Sequence, residues 1–227
     1  MTSVPSWLSA FPLRPATEAV DALCESWNVL ASQRRPLFNP SSKEPQLTRI
    51  LKAHVEYVTG RKRGLLGMWS TEAVINKVDF ATGEIIEERR TDIVYGFNTE
   101  QVGIQIVFEF KKLDGKKRSR TYYLGEDGLL RFVTGIYGKN QPVAAMVGVL
   151  IDSLEKAVPP LREALSDKST VTALKLRPCT SKKYYDQPSK LFSVADFDTE
   201  HDRPPDGQTP QSPIRVAHCF LSFAYNS

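Results

Sequence analysis

Glu109 and Lys111 stand two residues apart in the stretch Ile-Gln-Ile-Val-Phe-Glu-Phe-Lys-Lys-Leu, residues 104–113. Side chains alternate along an extended chain, so the acid and the base point the same way. Ile104, Ile106, Phe108 and Phe110 then line the opposite face. Such a stretch suits an ordinary amphipathic strand carrying a surface ion pair, which is worth little. It also suits half of a site that hydrolyses phosphodiesters with a divalent cation. Magnesium prefers oxygen ligands, usually one or two carboxylates with waters. The bound ion acidifies water and offsets the charge that develops on phosphorus. A neighbouring lysine adds fixed positive charge and orients the attacking water.

The second acid that such a site needs is Asp92. It falls near the end of an expected strand over residues 84–97, and a short loop around 98–103 separates that strand from 104–113. Two strands so joined are antiparallel neighbours. Asp92 and Glu109 then come near enough to share a cation if both face one side. The backbone carbonyl of Phe110 lies between the two outward-pointing groups. Glu44 is a third acid. It precedes Leu47 by three residues and Leu51 by seven, which puts it at the start of an expected helix, on the buried side. A carboxylate there complements the helix dipole, and spacing alone favours that role over one in a site.

The remaining elements must position these residues. Val20, Leu23, Trp27 and Leu30 predict a helix over 18–33, with Thr17 as its cap. Ser42 is placed to cap a second helix, Pro45 fits its first turn, and Leu47 to Val58 extend it to about Thr59. Residues 60–64 read as a basic turn. Residues 71–80 and 84–97 read as strands joined by the turn Ala81-Thr82-Gly83. Residues 114–120 read as a loop dense in Lys and Arg, and Leu129, Phe132, Val133 and Ile136 restore helical spacing. The apolar run 143–151 suits a strand buried on both faces. Residues 153–165 read as a helix broken or kinked at Pro159-Pro160. Residues 171–176 read as a short strand, 196–213 as an acidic, proline-rich mobile loop, and 214–225 as a closing strand. Helix, three strands, helix, strand and helix make an α/β domain with a mixed sheet.

Bulk properties agree with one soluble domain. With 227 residues, 41% of them hydrophobic and 25% charged, the chain can bury a proper core. The net charge of +4 is compatible with nucleic acid but too small to name a partner. Cys24, Cys179 and Cys219 are odd in number and far apart, which points to a reducing cytoplasm rather than a disulfide framework. The first residues lack a basic segment followed by an apolar core, so they do not read as a signal peptide. The longest apolar run is too short to span a bilayer.

Thr91-Asp92, followed by Val107-Phe108-Glu109-Phe110-Lys111, resembles the PD-(D/E)XK nuclease superfamily, whose fold is called restriction-endonuclease-like. The superfamily's αβββαβ core order is similar to that of residues 43–151. Threonine stands where many members have proline before the aspartate. The resemblance implies an N-terminal arm and helix over 1–42, a catalytic core over 43–165 and a C-terminal extension over 166–227. It implies a cytoplasmic endonuclease that uses Mg2+, with Mn2+ as a substitute. Asp92, Glu109 and the Phe110 carbonyl would hold the metal, Glu44, similar in placement to an added glutamate of many members, would be a further metal residue, and Lys111 would be the catalytic lysine. DNA is the implied partner, with a homodimer or a larger defence-type complex where both strands are cut. Residues 127–137 with 146–148, and residues 201–203 with 214–221, look similar to bacterial proteins of this fold, some of which serve in anti-phage defence. RNA as the substrate, and a non-catalytic binding module on the same fold, are the alternatives.

Lys112, Lys116, Lys117, Arg118 and Arg120 follow the candidate strand directly and suit phosphate contacts, which carry affinity without sequence specificity. Arg61, Lys62 and Arg63 form a weaker patch. His54 and His218 read as structural, whereas His201 falls in the expected mobile loop. No histidine or cysteine spacing suits zinc, and no phosphate-binding glycine loop is present. The aromatic residues are not clustered in sequence into a platform for stacking bases.

Overall fold

The computed structural model describes residues 11–78, 81–98, 103–135, 137, 141–179, 183–205 and 211–225. Its centre is a six-stranded mixed sheet. Helix α1, Leu13–Ala31, comes first, with Ala16, Ala19, Val20, Leu23, Trp27 and Leu30 all buried at helical spacing. It starts earlier than the spacing around Thr17 predicts, because Pro15 is tolerated in a first turn. The Thr17 hydroxyl donates back to the Leu13 carbonyl instead of capping. Helix α2, Glu44–His54, also carries a proline in its first turn. It continues through a π-helical turn, Val55–Thr59, and a last turn, Gly60–Lys62, so part of the expected basic turn is helix. Ser26 donates a 2.7 Å hydrogen bond to Thr59, tying the π turn to α1.

Strand β1, Met68–Thr71, opens the sheet. The hairpin of β2, Val74–Val78, and β3, Ile85–Arg90, follows as a separate two-stranded ladder. Strand β4, Ile93–Asn98, then pairs antiparallel with β1 and with β5, Gly103–Leu113. The two long strands expected over 71–80 and 84–97 are therefore each broken. Glu72 takes a positive φ of 52° at the first break. At the second, the chain changes partner: the Thr91 amide and hydroxyl donate to the Ala73 carbonyl, next to the Val74–Arg90 pair of β2 and β3, whereas Ile93 already pairs with β1 and β5.

Helices α3, Lys117–Leu124, and α4, Leu130–Val133, connect β5 to β6, Val143–Leu150, which runs parallel to β5. The basic segment expected as a loop is thus partly helical. Gly135, with φ of 79°, ends α4 at the left-handed position that glycine fills without strain. All eight residues of β6 are buried, as its unbroken apolar run predicts. Helix α5, Leu154–Ala164, runs through Pro159 and Pro160 without a break. Helix α6, Lys168–Ala173, replaces the short strand expected over 171–176. Strand β7, Phe197–His201, and β8, Ile214–Leu221, complete the order β1-β4-β5-β6-β8-β7. Strand β7 is buried along its whole length, so 197–201 is not a mobile loop. Residues 206–210 lie outside the described ones.

The alternation along β5 sorts the core. Ile104, Ile106, Phe108 and Phe110 join the cluster that holds α1 and α2 residues. Val107 and Leu113 join the cluster built with Tyr123, Phe132, Val133 and Leu161 from α3, α4 and α5. Glu109 and Lys111 share the parity of Val107 and so belong to that second face.

A chain of polar groups crosses the second core. The buried His201 Nδ1 lies 2.8 Å from the Leu174 carbonyl, which only accepts, so Nδ1 carries the proton. His201 Nε2 must then accept from the Thr199 hydroxyl, 2.7 Å away. The Thr199 oxygen in turn accepts from His218 Nε2 at 2.9 Å, and His218 Nδ1 accepts from the Tyr123 hydroxyl at 3.0 Å. Both imidazoles are neutral in this arrangement. Burial pushes His201 down to about 4 and pushes His218 down as well. His218 is thus a satisfied core histidine. His201 is another, not the loop residue the composition suggests.

Thr199→Val keeps the shape and removes the hydroxyl both imidazoles use. It is expected to destabilise the protein by about 2–4 kcal/mol, because two buried nitrogens lose their partner. Urea unfolding checks this, and a loss below about 0.5 kcal/mol would contradict the deduced chain.

Candidate active site

The ladder between β4 and β5 aligns Ile93 with Phe108. Asp92, one residue before Ile93, comes level with Glu109 and its neighbours. Its Oδ2 accepts a 2.7 Å hydrogen bond from the Phe110 amide. Asp92 is therefore fixed by backbone just before a strand begins, rather than near a strand's end. Glu109 is fully buried beside it. Lys111 lies one alternation further along, where β5 passes the first turn of α2.

The Lys111 ammonium gathers oxygens from two elements. It donates to Glu44 Oε1 at 3.0 Å, to Glu109 Oε1 at 2.9 Å and to the Phe110 carbonyl at 2.7 Å. The other Glu44 oxygen accepts from the Lys112 amide at 3.1 Å, so Glu44 braces the end of β5 from the start of α2. Arg131 on α4 also donates to Glu109 Oε1, at 3.0 Å. The same guanidinium donates to the Tyr137 hydroxyl at 2.8 Å and to Asp127 at 3.3 Å. Tyr137 donates onward to the Arg90 carbonyl, next to the Thr91 break. Thus Glu109 has two cations on one oxygen, while its Oε2 is buried with no hydrogen-bond partner among the described residues.

Burial first, and charge second, set the protonation of Asp92 and Glu109. Apart from the exposed Asp127, three carboxylates (Glu44, Asp92, Glu109) face two cations (Lys111, Arg131), which leaves one negative charge in excess. Burial pushes Asp92 up to about 6, against the pull of Lys111 and the Phe110 amide. Burial, and then the Asp92 charge, push Glu109 up to about 8. Burial works against the charge on Lys111, but Glu109, Glu44 and Asp92 more than offset it and raise its pKa. Lys111 is therefore held protonated. One proton on the Asp92–Glu109 pair, or one bound cation, settles the excess charge.

The expected phosphate-contact residues separate in the structure. Lys116, Lys117 and Arg118 are exposed. Lys112 Nζ donates to the Pro40 carbonyl at 2.5 Å, and Arg120 donates to the Gly115 carbonyl at 3.0 Å. Those two side chains brace loops. Arg131 and Tyr137 were not among the residues predicted from type and spacing. The available signal was an arginine inside Leu-Leu-Arg-Phe-Val, residues 129–133, where a core helix turn has no use for a charge. A larger cleft, about 670 Å3 and lined by Asp21, Cys24, Glu25 and Arg63 among others, shares no residue with this site.

The residues fit a magnesium ion without forming a closed cage for one. Among the described residues, no three His, Cys, Asp or Glu side chains group to hold an ion. Magnesium often takes only one or two carboxylates and completes its shell with waters and substrate phosphate. Asp92 and Glu109 supply two, and the unpartnered Glu109 oxygen is a buried acceptor that lacks a positive neighbour of its own. The three oxygens around Lys111 mark the same spot as one that attracts cations. No protein-family model, curated protein or solved structure matches the chain. No helix among the described residues is long and apolar enough to cross a membrane.

The raised carboxyl pKa values fix a sign. Folding holds a proton that the unfolded chain releases, so the stability they contribute is present at low pH and is lost as pH rises through about 6 and about 8. The buried histidines titrate near pH 6.5 only in the unfolded chain, so they add an opposing rise that is complete by about pH 7.5. With chelator present, the melting temperature should fall between about pH 7.5 and 8.5. Asp92→Asn keeps the acceptor for Phe110 and removes one charge, so its curve should be flatter and lie above the wild type at pH 8.5. Parallel curves would refute the excess-charge account.

Proposed function

We propose that the chain is a metal-dependent phosphodiesterase that cuts DNA, an endonuclease on a restriction-endonuclease-like fold. The observation that carries this reading is Glu109, buried beside Asp92 with one oxygen unpartnered. Burying a second carboxylate next to the first costs stability that a purely structural strand has no reason to give up. The order of elements supports it as well. Helix α2, the antiparallel β1-β4-β5 set with the β2–β3 hairpin inserted after β1, helices α3 and α4, and β6 parallel to β5 are compatible with the αβββαβ order of the PD-(D/E)XK superfamily.

Asp92, Glu109 and the Phe110 carbonyl would hold Mg2+ or Mn2+, which supplies an acidified water and a counter-charge for the phosphate when bound. The Phe110 amide fixes Asp92, and the packed rings of Phe108 and Phe110 keep Glu109 and Lys111 on a rigid strand. Lys111 stays charged through the neutral range, so it serves as donor and fixed charge rather than as a general base. Glu44 keeps that ammonium aligned from α2. The exposed Lys116, Lys117 and Arg118 would meet flanking phosphates. One such site cuts one strand at a time, so a double-strand cut requires two copies.

One observation favours a second reading, a binding module without catalysis. Lys111 is only 13% exposed and is engaged by both Glu44 and Glu109. If that ion pair never opens, the site is inert and the fold serves recognition alone.

The test uses supercoiled plasmid, single-stranded circular DNA and an RNA of matched length, each with magnesium or with EDTA. Nicking or linearisation of DNA is expected with magnesium only. A Glu109→Ala, Lys111→Ala double variant should lose about 100-fold or more. Undiminished cutting by that variant would defeat this reading. Inert wild-type protein that still binds DNA would favour the second, and RNA cut in preference would reassign the substrate.

A further inference from the structure

A cavity of about 390 Å3 opens beside Lys111, lined by Glu44, Lys111, Lys112, Tyr122, Asp127 and Arg131. That volume falls within the range of about 300–1,000 Å3 usual for small-ligand sites. Three of the lining residues are cations and one is aromatic. The aromatic is the informative one. Helix α3 carries two consecutive tyrosines: Tyr123 is fully buried and anchored to His218, whereas Tyr122 is 45% exposed. The fold thus uses one ring for its core and presents the other at the cavity. Arg118 accompanies that ring, its guanidinium carbon 5.6 Å from the centroid and its nitrogen 3.4 Å from the hydroxyl. Lys116 and Lys117 lie exposed at the start of the same helix.

We infer that this cavity takes one nucleotide of an unpaired DNA strand, with Tyr122 stacking on the base and Arg131 meeting the phosphate beside Lys111. The inference rests on the phosphodiesterase reading and deepens it by naming the class of substrate. A base inside a duplex is stacked on both faces. A protein ring reaches it only after it leaves the stack, which costs least where the strand is already unpaired. Stacking on a tyrosine tolerates any sequence, because every base has a π face. Arg131 supplies a planar fork suited to phosphate oxygens. Its longest ionic contact, 3.3 Å to the exposed Asp127, is the one a phosphate would displace, while the contacts to Glu109 and Tyr137 keep the guanidinium in place.

Fluorescence anisotropy with the full chain in EDTA, at one fixed salt concentration, tests this without turnover. The probes are a labelled single strand of roughly 12 nucleotides, within the site sizes seen for such binding, its duplex, and a fully abasic strand of equal length. The wild type should bind the single strand about tenfold tighter than the duplex. Tyr122→Ala should lose about tenfold on the single strand and nothing on the abasic one, and Tyr122→Trp should keep the affinity. Arg131→Gln should weaken binding to both strands alike. Unchanged single-strand affinity in Tyr122→Ala, an equal loss on the abasic strand, or duplex bound as tightly as single strand would overturn the inference. Because cleavage is not read, the two ideas fail separately. Binding that depends on Tyr122 in a protein that cuts nothing removes the nuclease reading alone. Cutting that ignores Tyr122 removes this inference alone.

Discussion

The Lys111 ammonium is the contact on which the site depends. It draws Glu109, Glu44 and the Phe110 carbonyl to within 3.0 Å, and so pins the first turn of α2 against the end of β5. Each oxygen comes from a segment fixed for other reasons. Glu109 and Phe110 belong to a strand whose apolar face is fully packed. Glu44 begins a helix whose Leu47 and Leu51 are buried in the same core as Phe108 and Phe110. The charged cluster is therefore held by two packed faces, and its geometry does not rely on the ion pairs alone. This matters because ion pairs with so little exposure contribute little net stability after desolvation.

Much of this arrangement was legible in the sequence because it follows from alternation. The parity of residues 104–113 separates Glu109 and Lys111 from their apolar backing, and β5 obeys it. The unbroken apolar run of β6 announces a strand covered on both faces. Strand adjacency places Asp92 near Glu109, as the sequence implies, although its strand begins one residue later instead of ending nearby. That difference has a physical source. Residues 84–97 look like one strand by composition, and the break depends on a change of pairing partner, from β2 to β1 and β5, that no local pattern records.

The C-terminal region is less legible for a related reason. Asp202, Pro204 and Pro205 make the neighbourhood of His201 look like a solvated loop. The strand there owes its burial to partners distant in sequence: Phe197 stacks on His218 at 4.3 Å, and Glu200 receives Arg215 at 2.7 Å. Composition registers polar residues, but it cannot register that each has a partner. The same holds for Arg131. Its charge sits among apolar residues because its destination is Glu109, twenty-two positions away.

The hydrogen-bond chain through Thr199 links the two regions mechanically. Its far end is the Tyr123 hydroxyl, so the C-terminal strands fix the inner side of α3. The outer side of that helix carries Arg118 and Tyr122, and its C-terminal end leads into the turn that delivers Arg131. Neutral histidines keep this anchor rigid, since charging either imidazole would place a donor against a donor. The extension after residue 166 thus has a definite structural task. It anchors the inner side of α3, the helix that carries Arg118 and Tyr122 outward, through the contact between Tyr123 and His218.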